Sequence, residues 1–378
     1  MKRLSFLLLI GFLTLLFTSC RQAAKPVEVE PLPVRGLAIE APKPADLDRF
    51  LTFVEEELVP AHFNLLILRV DWNFAYESYP SFRDPDPLTR EDVGRIVALC
   101  REHDIRLVPQ INLLGHQSWA ETTYALLREF PQFDENPSVK TENYKPWPNE
   151  DRLYCKSYCP LHPQVHDVVF AVVDEVCDAF ESDAFHAGMD EVFYLGEEEC
   201  PRCHDHDKAE LFAGEVKRIH DHLAEKGRQL MIWGDRLIDG RTTGMGEWEA
   251  SYNDTWPAID MIPKDVFICD WHYERADLTA AYFALKGFQV ASCGYRRPEI
   301  CLQQIQDQRQ FRTQSAPETA ERFQGYIHTI WSGAAPFLNK YYELKGKKAD
   351  PSEDEEQARR SGDVRSLLAV IETFRQTP

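Results

Sequence analysis

Eight short apolar runs recur along the chain, and longer segments of mixed polarity separate them. The runs are Arg35–Glu40, Phe63–Asp71, Ile105–Asn112, Ala184–Glu191, Gln229–Leu237, Val266–Tyr273, Phe288–Tyr295 and Tyr326–Gly333. Each is near-continuous rather than alternating, which is the pattern of strands buried on both faces of a parallel sheet. Between them, Arg90–His103, His162–Phe180, Lys208–Lys226 and Leu278–Lys286 carry apolar residues at helical spacing, and Asp363–Gln376 reads as a last helix. Eight strand–helix units predict an α/β protein, a (β/α)8 TIM barrel. An open doubly wound sheet is the alternative, but no glycine-rich phosphate loop follows any of these strands.

Polar and aromatic residues gather where the runs end. Asp71-Trp72 close the second run, and Asn112 and Gly115-His116 follow the third. Asp190-Glu191 close the fourth, and Trp233 and Asp235 lie in the fifth. Asp270-Trp271-His272-Tyr273 close the sixth, and Trp331 lies near the end of the eighth. Any one of these could be a core or capping residue. In a barrel, however, all these ends share one face, and that face carries the active site.

The N-terminus adds a compartment. Lys2 and Arg3 precede an apolar run from Leu4 to Phe17, which exits through Thr18-Ser19 to Cys20. That run is shorter than the roughly 20 apolar residues of a membrane span and has the layout of a secretory signal. A cysteine after small residues resembles a bacterial lipoprotein signal. Residues 1–19 are therefore expected to be a signal peptide, Cys20 the lipidated residue and 20–34 a proline-containing tether. Residues 35–378 are expected to form one catalytic domain of an exported, membrane-anchored lipoprotein. With 42 basic against 62 acidic residues the formal charge is −20. A surface of that sign repels phosphate backbones, so nucleic acid is not an expected partner.

The segment His186-Ala187-Gly188-Met189-Asp190-Glu191 carries the most chemistry. On a regular strand adjacent side chains point oppositely, so two neighbouring acids do not form a simple facing dyad. At a strand's last turn they can still reach one ligand from different angles. An acid in a partly apolar site can be held protonated for a leaving group. Its neighbour, kept ionised, can steady positive charge or orient an amide. The bland alternative is that the acids cap the following turn or pair with arginine.

His-x-Gly-x-Asp-Glu after a β-run resembles the signature of glycoside hydrolase family 20, the β-N-acetylhexosaminidases, with Met189 where the family usually has a second Gly. Pro109 and Gly115-His116 resemble the family's Pro-Gly-His loop, with Leu114 in place of the Pro. Asp71 with Tyr79-Pro80, Trp233 with Asp235, and Trp331 resemble further family positions in the same order. The resemblance covers about residues 35–340. It implies a glycan substrate and substrate-assisted retaining catalysis without a cofactor, which this family uses in place of two protein carboxylates. Glu191 would be acid and then base, and Asp190 would hold the acetamido N–H. Asp71 and His116 would sit behind Glu191. Trp233, Trp271 and Trp331 would wall the acetamido pocket, with Tyr273 near its oxygen.

Departures from the family fall on hydroxyl recognition. Lys43 stands near the place of an arginine that grips sugar hydroxyls, and lysine lacks its planar fork. Gly333 stands where a glutamate is frequent. These departures keep open a carbohydrate-binding barrel without turnover and a retaining two-carboxylate glycosidase for another sugar. A third alternative is a metal-dependent hydrolase built on the Cys/His cluster. There is no His-Glu-x-x-His or Gly-x-Ser-x-Gly.

Cysteines number ten. Cys155-x3-Cys159 and Cys200-x2-Cys203 form two local pairs that could meet on the barrel's upper face as a structural zinc site, with His204 and His206 as spare ligands. They could equally form disulfides, within or between pairs, or stay free. Cys100, Cys177, Cys269, Cys293 and Cys301 lie in apolar segments and are expected to be buried small hydrophobes.

Overall fold

The computed structural model describes residues 31–139, 155–346 and 355–376. The expected signal peptide, Cys20 and the tether to residue 30 lie outside them. Eight parallel strands close a barrel: β1 (Val34–Glu40), β2 (Leu65–Arg69), β3 (Arg106–Leu113), β4 (Ala184–Gly188), β5 (Gln229–Trp233), β6 (Phe267–Trp271), β7 (Val290–Gly294) and β8 (Phe323–Thr329). They are arranged in chain order, with β1 pairing both β2 and β8. This is the expected (β/α)8 barrel.

The helices form where apolar spacing and caps coincide. Helix α1 is Leu47–Phe53 and α2 is Arg90–Glu102. In α2, Thr89 accepts from the Asp92 N–H and Asp92 accepts from the Thr89 N–H, a reciprocal cap. Its buried Val93, Ile96, Val97 and Cys100 recur at helical spacing toward the sheet. Helix α3 (Val165–Ala179) buries a valine stripe, and α4 (Lys208–Ala224) starts on Asp207, which accepts from the Glu210 N–H. Helices α5 (Thr279–Leu285), α6 (Pro298–Gln314), α7 (Ala334–Leu344) and α8 (Glu355–Gln376) complete the outer layer. The last begins earlier than the expected Asp363.

Two cores result. Inward side chains such as Ile67, Val108, Met231, Trp233, Cys269, Cys293 and Ile327 fill the barrel. Outward strand residues and helix stripes form the larger shell between sheet and helices. Cys100, Cys177 and Cys301 lie in that shell, so all five expected core cysteines are buried.

Five strands stop short of the expected ends by two to four residues. β2 ends at Arg69 rather than Asp71, β4 at Gly188 rather than Glu191, and β5 at Trp233, where a short helical turn follows over Asp235–Leu237. β6 ends at Trp271 and β8 at Thr329. Beyond β2 and β4 the chain turns away through left-handed residues, Asp71 after the first and Met189 and Glu191 after the second, which no strand accommodates.

Candidate active site

The upper rim of the barrel concentrates positive φ at residues that are not glycine. Asp71 (φ 42°), Leu114 (φ 62°), His116 (φ 53°), Met189 (φ 70°) and Glu191 (φ 49°) all lie there. Such conformations cost of order 1–3 kcal/mol each and cluster where function requires them. After β4, Gly188 (φ 68°) begins the bend, and a Cβ at that position would lie 2.5 Å from Asn112 Oδ1, so only glycine fits. His186 reinforces the bend, because its Nδ1 accepts from the Gly188 N–H at 3.0 Å.

This bend removes strand alternation at the acids. Asp190 Oδ2 and Glu191 Oε2 both lie 3.2 Å from His116 Nε2, so the two neighbours converge on one imidazole. Burial alone would lower the His116 pKa, but Asp190 and Glu191 outweigh it and raise it well above its ordinary value. Burial would likewise raise Asp190. The His116 charge more than offsets that and holds Asp190 below the usual carboxylate range. Asp190 is therefore an ionised, buried acid. Its other oxygen, Oδ1, is buried without a hydrogen-bond partner.

Asp235 supports the pair from behind. Its Oδ2 accepts from the Glu191 N–H at 2.9 Å and from Arg236 Nε at 2.6 Å, and its Oδ1 accepts from Trp271 Nε1 at 3.1 Å. Arg236 is itself buried and donates to the carbonyls of Glu247, Trp248 and Ala250. Burial pushes Asp235 up to about 6, against the pull of Arg236. Asp71 is also raised to about 6 by burial; its Oδ1 accepts from the Asn112 N–H at 2.9 Å.

These groups face a cavity of about 520 Å³, the size of a small-ligand site. Trp271, Tyr273 and Trp331 line it, and Trp331 Nε1 donates to Tyr273 Oη at 2.7 Å. Trp233 does not line it. It is fully buried beneath the site, its ring 5.6 Å from that of Trp331 and 4.4 Å from that of His186. Of the expected residues, Asp71, His116, Asp190, Glu191, Trp271, Tyr273 and Trp331 share the cavity, while Asp235 and Trp233 buttress it. Exposed Trp119 lies parallel to the His116 ring at 6.2 Å and adds an outer wall.

An arginine does line the cavity, on the strand next to β1. Arg69 ends β2 in register with Glu40 of β1, and its Nη2 donates to Glu40 Oε2 at 2.9 Å. Its Nε lies 3.6 Å from Asp71 Oδ2, and its guanidinium sits over the Trp331 ring at 5.4 Å. Both Arg69 and Glu40 line the cavity. A Cβ on Gly333 would meet Glu40 Oε1 at 3.7 Å, so the Glu40 carboxylate stands beside the glycine that takes the place of a family glutamate. Lys43 is engaged elsewhere, donating to Asn73 Oδ1 at 3.0 Å and Asp84 Oδ2 at 3.1 Å. The signal for Arg69 was present: it lies in the second apolar run, two residues before Asp71.

The cysteine set also changes. Cys159, Cys200 and Cys203 meet, but the fourth member is Glu135, not Cys155. Cys155 points to the acids instead, where its Sγ donates to the Glu191 carbonyl at 3.3 Å. His204 is half-exposed and pairs with Asp205, outside the cluster.

A parallel eight-stranded barrel with two convergent acids above its fourth strand and an aromatic-walled cavity is the architecture of a barrel glycosidase. Residues 77–335 match the glycosyl hydrolase family 20 catalytic domain, more than half of the chain, and the protein belongs to that family. A beta-hexosaminidase of Akkermansia muciniphila is 25% identical over 231 residues, which cover 53% of this chain and 44% of that protein. The chain thus spans less than half the length of this relative. Among solved structures, a beta-N-acetylhexosaminidase shares the fold with a TM-score of 0.60 at 19% identity, over 91% of this chain and 77% of that one. A Vibrio harveyi exo beta-N-acetylglucosaminidase, solved with N-acetylglucosamine, has a TM-score of 0.59 at 13% identity, over 92% of this chain and 58% of that one.

Proposed function

We propose that this domain removes terminal β-linked N-acetylhexosamine with the substrate's own 2-acetamido group as nucleophile. The observation that carries this is Asp190. It is buried and ionised, and it keeps one oxygen without a partner beside Glu191 and the aromatic wall. A buried acceptor left unpaired is costly, and a substrate amide N–H would satisfy it. In the first step the acetamido oxygen bonds to the anomeric carbon as the glycosidic bond breaks, and the Glu191 proton passes to the leaving oxygen. In the second, water attacks the anomeric carbon, its proton returns to Glu191 and the acetamido oxygen is released. Asp190 orients the amide and steadies the positive charge of the intermediate. The family match and the beta-hexosaminidase relative support the same substrate class.

Hydroxyl recognition falls to the other side of the cavity. Arg69, oriented by Glu40 and Asp71, offers N–H donors to sugar oxygens, and Glu40 and Asp84 offer acceptors. The leader pattern supports a membrane-anchored lipoprotein acylated at Cys20. Finding a free or absent Cys20 in the mature protein by mass spectrometry would remove that part of the proposal.

The test is hydrolysis of aryl β-N-acetylglucosaminide and β-N-acetylgalactosaminide by the wild type and Glu191→Gln. Wild-type release with a loss of about 10²–10⁴-fold in kcat for the variant is expected, the usual contribution of a general acid. No release by a folded wild type points to a sugar-binding barrel. Equal release by the variant removes Glu191 from the mechanism.

A further inference from the structure

We propose that Glu135, Cys159, Cys200 and Cys203 form a structural zinc site that clamps the loop after β3 to the loop after β4. All four side chains are buried, and their ligand atoms lie within 4.8 Å of one another. Cys159 Sγ is 3.3 Å from Cys203 Sγ and 3.4 Å from Cys200 Sγ. A disulfide requires about 2.0 Å, whereas two sulfurs each about 2.3 Å from a tetrahedral zinc stand about 3.8 Å apart. Three thiols are also an odd number, so any one disulfide would leave a thiol and a carboxylate sealed together.

Glu135 is the second observation. Its Oε1 accepts from the Gly196 N–H at 2.8 Å, which fixes the carboxylate, while its Oε2 is buried without a hydrogen-bond partner and faces the thiols of Cys200 and Cys203. An orphaned buried carboxylate oxygen is expensive in a site with nothing to bind. Here it completes a four-ligand set of three soft thiolates and one oxygen, which suits zinc.

The surrounding backbone is arranged for thiolates. The Leu161 N–H reaches Cys159, and the Arg202 and Cys203 N–H groups reach Cys200. Cys159 and Cys200 are each followed by proline, so both sulfurs head tight turns whose next free N–H groups point back at them. Such outer contacts orient ligands and disperse charge. Glu135 is brought to Cys159 by pairing of the two loop arms: the Glu135 N–H donates to the Ser157 carbonyl at 3.1 Å, and the Cys159 N–H donates to the Phe133 carbonyl at 2.6 Å. Zinc binding forms three Zn–S bonds and one Zn–O bond and releases the three thiol protons to solvent.

The clamp reaches the active site through one short segment. The Tyr158 N–H donates to the Leu114 carbonyl at 3.0 Å, and the Gln117 N–H donates to the Lys156 carbonyl at 2.9 Å. The arm that ends at Cys159 therefore holds the loop bearing His116. Its other end, Cys155, donates to the Glu191 carbonyl. Zinc would fix the position of both the acid and its imidazole partner without touching substrate.

The experiment is elemental analysis of the intact protein, purified without chelator, together with a thiol count under non-reducing denaturation and mass mapping. One zinc per chain and unlinked Cys159, Cys200 and Cys203 are expected. Removal by a strong chelator should lower Tm by about 10 °C or more. Cobalt(II) should restore it, with the visible bands of a tetrahedral thiolate complex. Glu135→Gln should lose the metal, whereas Glu135→Cys should retain it; both readouts are independent of glycosidase activity. Metal-free folded protein that takes up no cobalt, a mapped disulfide among these cysteines, or iron in place of zinc would each overturn the proposal.

Discussion

The two halves of the cavity rim are built on the same barrel and follow different rules. On the β3–β6 side, side chains from several elements converge on a single pair of acids: His116 between them, Asp235 beneath them and Trp271 held by Asp235. On the β1–β2 side, one strand pair supplies the polar groups locally, with Glu40 and Arg69 paired in register and Lys43 drawn off to Asp84. The first half has the acids and the histidine that the motif resemblance called for, with Met189 and Leu114 as its departures. The second places an arginine and a carboxylate, Arg69 and Glu40, on adjacent strands beside the cavity. Positioning of reacting groups is sensitive to displacements of about 1 Å, whereas a hydrogen-bond donor or acceptor on a cavity wall has more freedom of placement.

The sharpest way to break this contrast is Asp190→Asn. It keeps the shape, removes the charge and presents an amide where an acceptor is needed. We expect kcat for aryl N-acetylhexosaminides to fall about 10²–10³-fold, with circular dichroism and Tm close to wild type. An unfolded variant would make Asp190 a structural cap. Next is Arg69→Ala, for which a loss of roughly 10–100-fold in kcat/KM, mostly through KM, matches the removal of charged hydrogen bonds. Lys43→Ala should change kcat/KM less than about threefold, as fits a half-exposed ion pair. If Lys43→Ala costs more than Arg69→Ala, the hydroxyl subsite lies with Lys43 after all.

The smallest effect concerns pH. Burial lifts Asp71 from 3.8 to about 6, so folding favours its neutral form. That contribution is complete below about pH 4 and is lost as pH rises to 6. Asp71→Asn should therefore show a flatter Tm profile than the wild type between pH 4 and 6. Parallel profiles would show that Asp71 titrates normally.

Much of the barrel is legible in the chain because its strands are buried on both faces and its helices carry one apolar stripe. Each therefore announces itself locally. The acids were legible as a motif, although alternation of strand side chains argued against their facing one point. The left-handed turn through Gly188, Met189 and Glu191 cancels that alternation, and Met189 and Glu191 carry no local signal for it. Trp233 was expected in the wall only because the family resemblance implied it, but packing below Trp331 and beside His186 seals it inside. Glu135 went unnoticed beside the cysteines, since its ligand role depends on two loop arms pairing far along the chain.

What the sequence alone determined is the order of eight strand–helix units, the side of the barrel that holds the chemistry and the two acids at its centre. These follow from residue type and spacing, which act over a few positions. Tertiary structure decided which of the polar residues meet: His116 between Asp190 and Glu191, Arg69 rather than Lys43 in the cavity, and Glu135 rather than Cys155 with the three thiols. Each of those outcomes depends on closure of the barrel, which brings loops from separate strands within hydrogen-bonding distance, and no local pattern encodes that meeting.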